Sequence, residues 1–163
     1  MSYYIRANSQ RQFTVEQLGT ALYSVFFSGW MKQQATAQLL DAEYTFDKPS
    51  WLSSDRTIYK NKVPIGSMSF NWRGHLFLNL ITETEGQLSY ILKSRGVFQR
   101  RIELVEKDSH ILLLTMYAEF NWFKYNYRIE ALNAAAIHYP ISELLGILGV
   151  GAVLIRDRQN NGS

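Results

Sequence analysis

The chain contains no cysteine, which excludes a disulfide framework and any zinc site built on thiolates. Its start has no apolar stretch of leader length. Met1 to Thr20 is interrupted by Gln10, Arg11, Gln12 and Glu16, so no secretory leader is expected. Nowhere does it hold the ~20 consecutive apolar residues that a helix needs to span a bilayer. The sequence also lacks a P-loop, G-x-G-x-x-G, G-x-S-x-G and H-E-x-x-H. Internal repeats, low-complexity tracts and dividing linkers are missing too. What remains is one domain over residues 1–163, with 1–10 and 158–163 expected as mobile ends. A Cys-free chain suits the reducing cytoplasm without demanding it, and a cytoplasmic location is the expectation.

Apolar residues make up 47% of the chain and charged residues 19%, the balance of a globular domain rather than a disordered one. Aromatic residues, at 14%, suit the pleated surface of sheets. The net charge of +3 permits an anionic partner but does not require one.

The middle of the chain alternates with period two. Phe123, Tyr125, Tyr127, Ile129 and Ala131 interleave with Lys124, Asn126, Arg128 and Glu130, which is a strand with one dry face and one wet face. Phe98, Ile102 and Leu104 form another such set, with Arg100 as the exception on the apolar side. Leu88, Tyr90 and Leu92 form a third, Leu76, Leu78 and Leu80 a fourth, and Met68, Phe70 and Trp72 a fifth. Turn signals at Asn61-Lys62, Arg73-Gly74, Glu85-Gly86 and Lys107-Asp108 separate them at intervals that favour an antiparallel meander. Upstream, 37–46 and 56–60 read as two further strands, while 14–22 is ambiguous between helix and strand.

The end of the chain differs. Pro140 is placed for the first turn of a helix. From Leu144 to Ile155 no residue carries a charge or a hydrogen-bonding side chain, and Arg156, Asp157 and Arg158 end the run. As a helix it spans about 18 Å, short of the ~30 Å hydrocarbon core, so it is not expected to be transmembrane. A helix apolar all round has to be buried all round. Gly146, Gly149 and Gly151 each cost about 1 kcal/mol against Ala in a helix interior. That cost is intelligible where the walls come too close for a larger side chain. The expected fold is therefore mostly β: a closed or nearly closed antiparallel β-barrel around a buried hydrophobic C-terminal helix. A helix lying on an open sheet would show polar residues on its outer side, and this run shows none.

Two stretches resemble the tubby-like barrel of the tubby C-terminal domain, the phospholipid scramblases and the LURP-one-related proteins. One is Trp51-Leu52-Ser53-Ser54-Asp55-Arg56-Thr57-Ile58-Tyr59-Lys60, running into Val63-Pro64-Ile65-Gly66-Ser67-Met68. The other is Leu144 to Ile155, in the place of the family's central helix. The resemblance covers 36–158 and is nearest to the bacterial-type members of the group. It implies the barrel fold more than an activity. The phosphoinositide-binding Lys and Arg of the tubby domains have no matching positions here. No acidic calcium-binding segment of the scramblase kind follows the helix region.

Candidate chemistry is sparse. His75, His110 and His138 have no metal-ligand partner at short spacing and read as turn or strand-edge residues. Asp41/Glu43 and Glu83/Glu85 can share a strand face, but solvated acids are ordinary beside turns. Nothing argues for an enzyme or a cofactor. The strongest polar cluster is Lys93, Arg95, Arg100 and Arg101, with no acidic residue between the first and the last. Such a hairpin can hold an anionic lipid headgroup or another phosphate-bearing ligand. It can equally be a solvated tip whose cations protect a sheet edge. Phe120, Trp122, Phe123, Tyr125 and Tyr127, interleaved with Lys124 and Arg128, have the look of a nucleic-acid platform. Most are explained as strand and core positions, and nucleic acid is not the expected partner. The leading expectation is a tubby-like binding module for an anionic lipid or phosphate ligand. The alternative is a protein–protein interaction or structural module without a small ligand.

Overall fold

The computed structural model describes residues 3–29, 34–39, 41–49, 55–95, 101–121 and 124–160, with side chains at 120–125 and 160 outside that set. Twelve antiparallel strands run in chain order, each paired with its sequence neighbours, and β1 pairs with β12 to close the barrel. They are β1 (Tyr3–Ser9), β2 (Gln12–Gln17), β3 (Thr20–Ser28), β4 (Gln34–Leu39), β5 (Ala42–Asp47) and β6 (Arg56–Lys60). Then come β7 (Val63–Phe70), β8 (Leu76–Thr82), β9 (Gly86–Arg95), β10 (Arg101–Glu106), β11 (Leu112–Asn121) and β12 (Lys124–Ala131). A 3-10 turn at Ala134–Ala136 leads into the one long helix, α1 (Ile141–Asn160). No described helix is long and apolar enough to cross a membrane.

The period-two pattern explains the wall. Leu76, Leu78 and Leu80 are fully buried, while Phe77 and Asn79 between them are half-buried and Ile81 is exposed. Phe13 and Val15, Tyr44 and Phe46, Leu92 and Leu104, and Tyr127 and Ile129 repeat this around the barrel, and all join one apolar core with α1. Closure gives each described strand a partner strand on both sides.

The three helix glycines confirm that α1 is enclosed from several sides. A β-carbon on Gly146 would stand 2.5 Å from the Tyr23 hydroxyl on β3. On Gly149 it would stand 2.5 Å from the Phe13 ring on β2. On Gly151 it would meet Leu76 at 3.0 Å and Leu92 at 3.3 Å, from β8 and β9 across the barrel. The small Ala35 and Ala37 of β4 also give α1 room. Leu144, Leu145, Ile147, Leu148 and Val150 are fully buried, each contributing about 1.5–3 kcal/mol, which outweighs the cost of the glycines.

Polar groups meet α1 at both ends. Where it enters, the Pro140 carbonyl accepts the first helical bond, so Pro140 caps the helix rather than occupying its first turn. Tyr23 Oη donates to the Ser142 carbonyl at 2.5 Å, and Lys60 pairs with Glu143 at 3.2 Å. Burial, then the charge of Glu143, pushes the Tyr139 phenol up to about 12. Tyr44 is raised further, first by burial and then by the approach of its hydroxyl to the Glu143 carboxylate. Its Oη is buried without a well-formed hydrogen bond, although Glu143 lies near enough to disfavour ionisation. Where α1 ends, Arg56 is 3% exposed, directs Nη1 toward the Phe46 carbonyl at 3.4 Å, and lies in the field of Asp157 and Asp47.

The structure corrects several expectations. Residues 3–9, expected as a mobile end, form β1 and close the barrel through Tyr3 opposite Ile129 and Ile5 opposite Tyr127. The ambiguous 14–22 segment belongs to β2 and β3, whose turn is made by Leu18 and Gly19 at positive φ. The single strand expected over 37–46 is a hairpin of β4 and β5. Trp72 does not continue the inward row of Met68 and Phe70 but stands 84% exposed in the turn after β7. At the other terminus α1 continues through Arg158 to Asn160.

Candidate functional site

Strands β9 and β10 form the basic hairpin expected from the sequence. Lys93, Arg95 and Arg101 are described, whereas Arg100 and the rest of the tip, 96–100, lie outside the described residues. The register sets Arg95 directly opposite Arg101, and Lys93 directly opposite Glu103. Leu92 and Leu104 of the same strands are inward, so alternation turns Lys93, Arg95, Arg101 and Glu103 to the outer wall. Glu103 accepts from Arg95 Nε at 2.9 Å rather than pairing with Lys93. Among the described residues, Lys93 and Arg101 have no carboxylate in ion-pair contact. Like charges directly opposite each other in a sheet are destabilising.

Two further elements deliver cations to this end. The β7–β8 turn brings the cation Arg73, stacked 4.8 Å above the exposed Trp72 ring, and beside it the uncharged form of His75 is favoured. His75 is held below the ordinary histidine range, first by burial and then by Arg95, Lys93 and Arg73. Its Nδ1 is buried without a partner. The C-terminus of α1 brings Arg156, which lines a shallow crevice together with Arg101, Ser94 and Ile102. Gln159 donates to Ser94 Oγ at 3.0 Å and ties the helix end to β9. Cations suit this position because the carbonyl end of a helix carries partial negative charge.

The sequence points to Lys93, Arg95, Arg100 and Arg101, reads His75 only as a turn or strand-edge residue, and does not point to Arg73 or Arg156 as members of the cluster. The usable signal was the Arg156-Asp157-Arg158 triplet, taken only as the stop of the apolar run. The other candidates do not assemble. His110 sits in a turn with φ 60, and His138 is exposed. Asp41/Glu43 and Glu83/Glu85 are at or beside hairpin turns, all exposed. Among the described residues no three His, Asp or Glu gather to hold a metal. Of the aromatic run, Phe120, Trp122, Phe123 and Tyr125 have side chains outside the described residues, and Tyr127 is buried in the core. Comparison of the chain with family models, with curated proteins and with solved structures finds no match.

Proposed function

We propose that the protein is a non-enzymatic, tubby-like binding barrel that recognises an anionic lipid headgroup at the wall formed by Lys93, Arg95 and Arg101. The tubby-like assignment is supported by the closed antiparallel barrel around a C-terminal helix. The ligand assignment is carried by one observation: Arg95 faces Arg101 across the sheet beside Lys93, with Glu103 as the one acid opposite them. Facing like charges cost stability, and the Arg95–Glu103 pair offsets only part of that cost. A phosphate supplies the missing negative charge and several strong acceptors at once. Arg73 and Arg156 extend the field, and the exposed Trp72 ring is suited to the interfacial layer of a bilayer.

The test compares phosphatidylcholine vesicles with and without phosphatidylserine, and inositol hexakisphosphate as a soluble phosphate. Lys93→Ala, Arg95→Ala and Arg101→Ala are combined in one variant whose folding is checked by thermal melting. Each basic residue near an anionic surface contributes about 1 kcal/mol, so the triple variant should lose about a hundredfold in affinity. Wild-type binding should also weaken with salt. Binding of inositol hexakisphosphate without binding to vesicles would move the reading to a soluble phosphate ligand. A folded wild type that binds neither would overturn it, leaving an interaction module without a small ligand.

A further inference from the structure

The far end of the barrel, away from the basic wall, contains a cleft of about 300 Å³ lined by Tyr90, Glu106, Asp108, Ile111, Leu113 and His138 among others. It lies where β10 turns into β11 and where the chain crosses toward α1. Its frame is tied down: Leu132 N and Asn133 N both donate to the Leu113 carbonyl, and Asn133 Nδ2 donates to the Leu112 carbonyl at 2.6 Å. The cleft is thus built by the fold.

Three observations describe what it would accept. Glu106 and Asp108 bring negative charge, and among the described residues neither is in an ion pair. Ser109 Oγ donates to Glu106 Oε2, and Lys107 is turned away over the Phe77 ring. Tyr90 is 2% exposed, yet its Oη has no hydrogen-bond partner. A hydroxyl buried without a partner carries an unmet hydrogen-bonding demand. Finally, the half-buried Leu88 and the exposed Ile111 add apolar lining beside these polar groups.

We propose that this cleft binds a small organic cation, a primary ammonium on a compact apolar body. An ammonium has three donors and no acceptor, which matches two carboxylates and a phenol oxygen. The apolar body would cover Leu88 and Ile111. An anion would meet repulsion, and a neutral isostere would leave the carboxylates uncompensated. The volume is at the lower end for ligand sites, so the occupant is the size of a fragment. This site is independent of the lipid-binding wall.

The probe is phenethylammonium, with 2-phenylethanol and phenylacetate as its neutral and anionic counterparts. Amide chemical shifts are followed during titration of the full chain. The ammonium is expected to shift residues 88–90, 106–113 and 134–138, and to bind at least tenfold more tightly than the alcohol. Glu106→Gln with Asp108→Asn should remove that preference while melting normally, because Gln still accepts from Ser109. Tyr90→Phe should weaken binding severalfold without lowering the melting temperature. Equal affinity for ammonium and alcohol, shifts centred elsewhere, or no shifts at millimolar probe would overturn the proposal.

Discussion

The two ends of the barrel solve the same problem differently. Each must close over an apolar helix with polar groups. Where α1 ends, the polar groups at the helix itself are engaged, although His75 Nδ1 at the same end is buried without a partner. Arg56 sits in the field of Asp47 and Asp157, Gln159 bonds Ser94, and the Arg158 guanidinium stacks 4.8 Å from the Phe70 ring. The cations in excess there are turned outward on the wall. Where α1 begins, four tyrosines from distant strands and the entry loop gather round Glu143 and the neighbouring cleft, and the hydroxyls of Tyr44 and Tyr90 stay without a formed bond. One end keeps its unmet demand as surplus charge on the surface and a single buried imidazole nitrogen, and the other keeps it as buried hydroxyls. An antiparallel meander produces this division because alternate turns fall at opposite ends.

The largest effect that would sharpen the comparison lies between the ends, on the helix itself. Gly149→Val should cost about 3 kcal/mol in urea unfolding, since its β-branch would overlap the Phe13 ring. Gly151→Ala should cost about 1 kcal/mol or less, because the atoms it meets are leucine methyl groups able to shift. Equal losses would mean that α1 is not pressed toward β2.

Phenol deletions separate engaged from unengaged hydroxyls. Tyr23→Phe removes the donor to the Ser142 carbonyl and should lose about 1 kcal/mol. Tyr90→Phe removes a hydroxyl without a partner and should be neutral or gain up to about 1 kcal/mol. A loss in Tyr90→Phe equal to that in Tyr23→Phe would show that Tyr90 is already satisfied.

The smallest effect is a difference in pH response. The His75 pKa is lowered in the folded state, so protons bind the unfolded chain more readily. Its contribution is present above the ordinary histidine value of about 6.5 and is lost as pH falls below it. His75→Gln should flatten the acid side of the melting curve. Tyr139 is raised, so its contribution is present below the ordinary phenol value of about 10 and is lost as pH climbs toward about 12. Melting temperatures across pH would show the basic end weakening in acid and the tyrosine end weakening in alkali.

Much of the wall was legible because alternation is local. Leu76-Phe77-Leu78-Asn79-Leu80 states which side is dry without reference to any other strand. The glycines of the apolar run implied close walls on more than one side, as Tyr23, Phe13 and Leu76 show. β1 was not legible: Tyr3 and Ile5 are too few in a polar stretch, and their partners lie at the other end of the sequence. Part of the basic wall was legible, because Lys93, Arg95 and Arg101 are near neighbours in the chain. Arg73 and Arg156 were not, since register and the helix ending bring them there.

A mostly β chain with an enclosed helix is written locally in the residues, because period and hydrophobicity act over a few positions. Long-range pairing settled which charges face each other and which tyrosines meet. It also decided that Tyr90, Glu106 and His138 share a cleft. Those facts depend on register and on closing β1 against β12, where one residue of slip would turn every side chain to the other face.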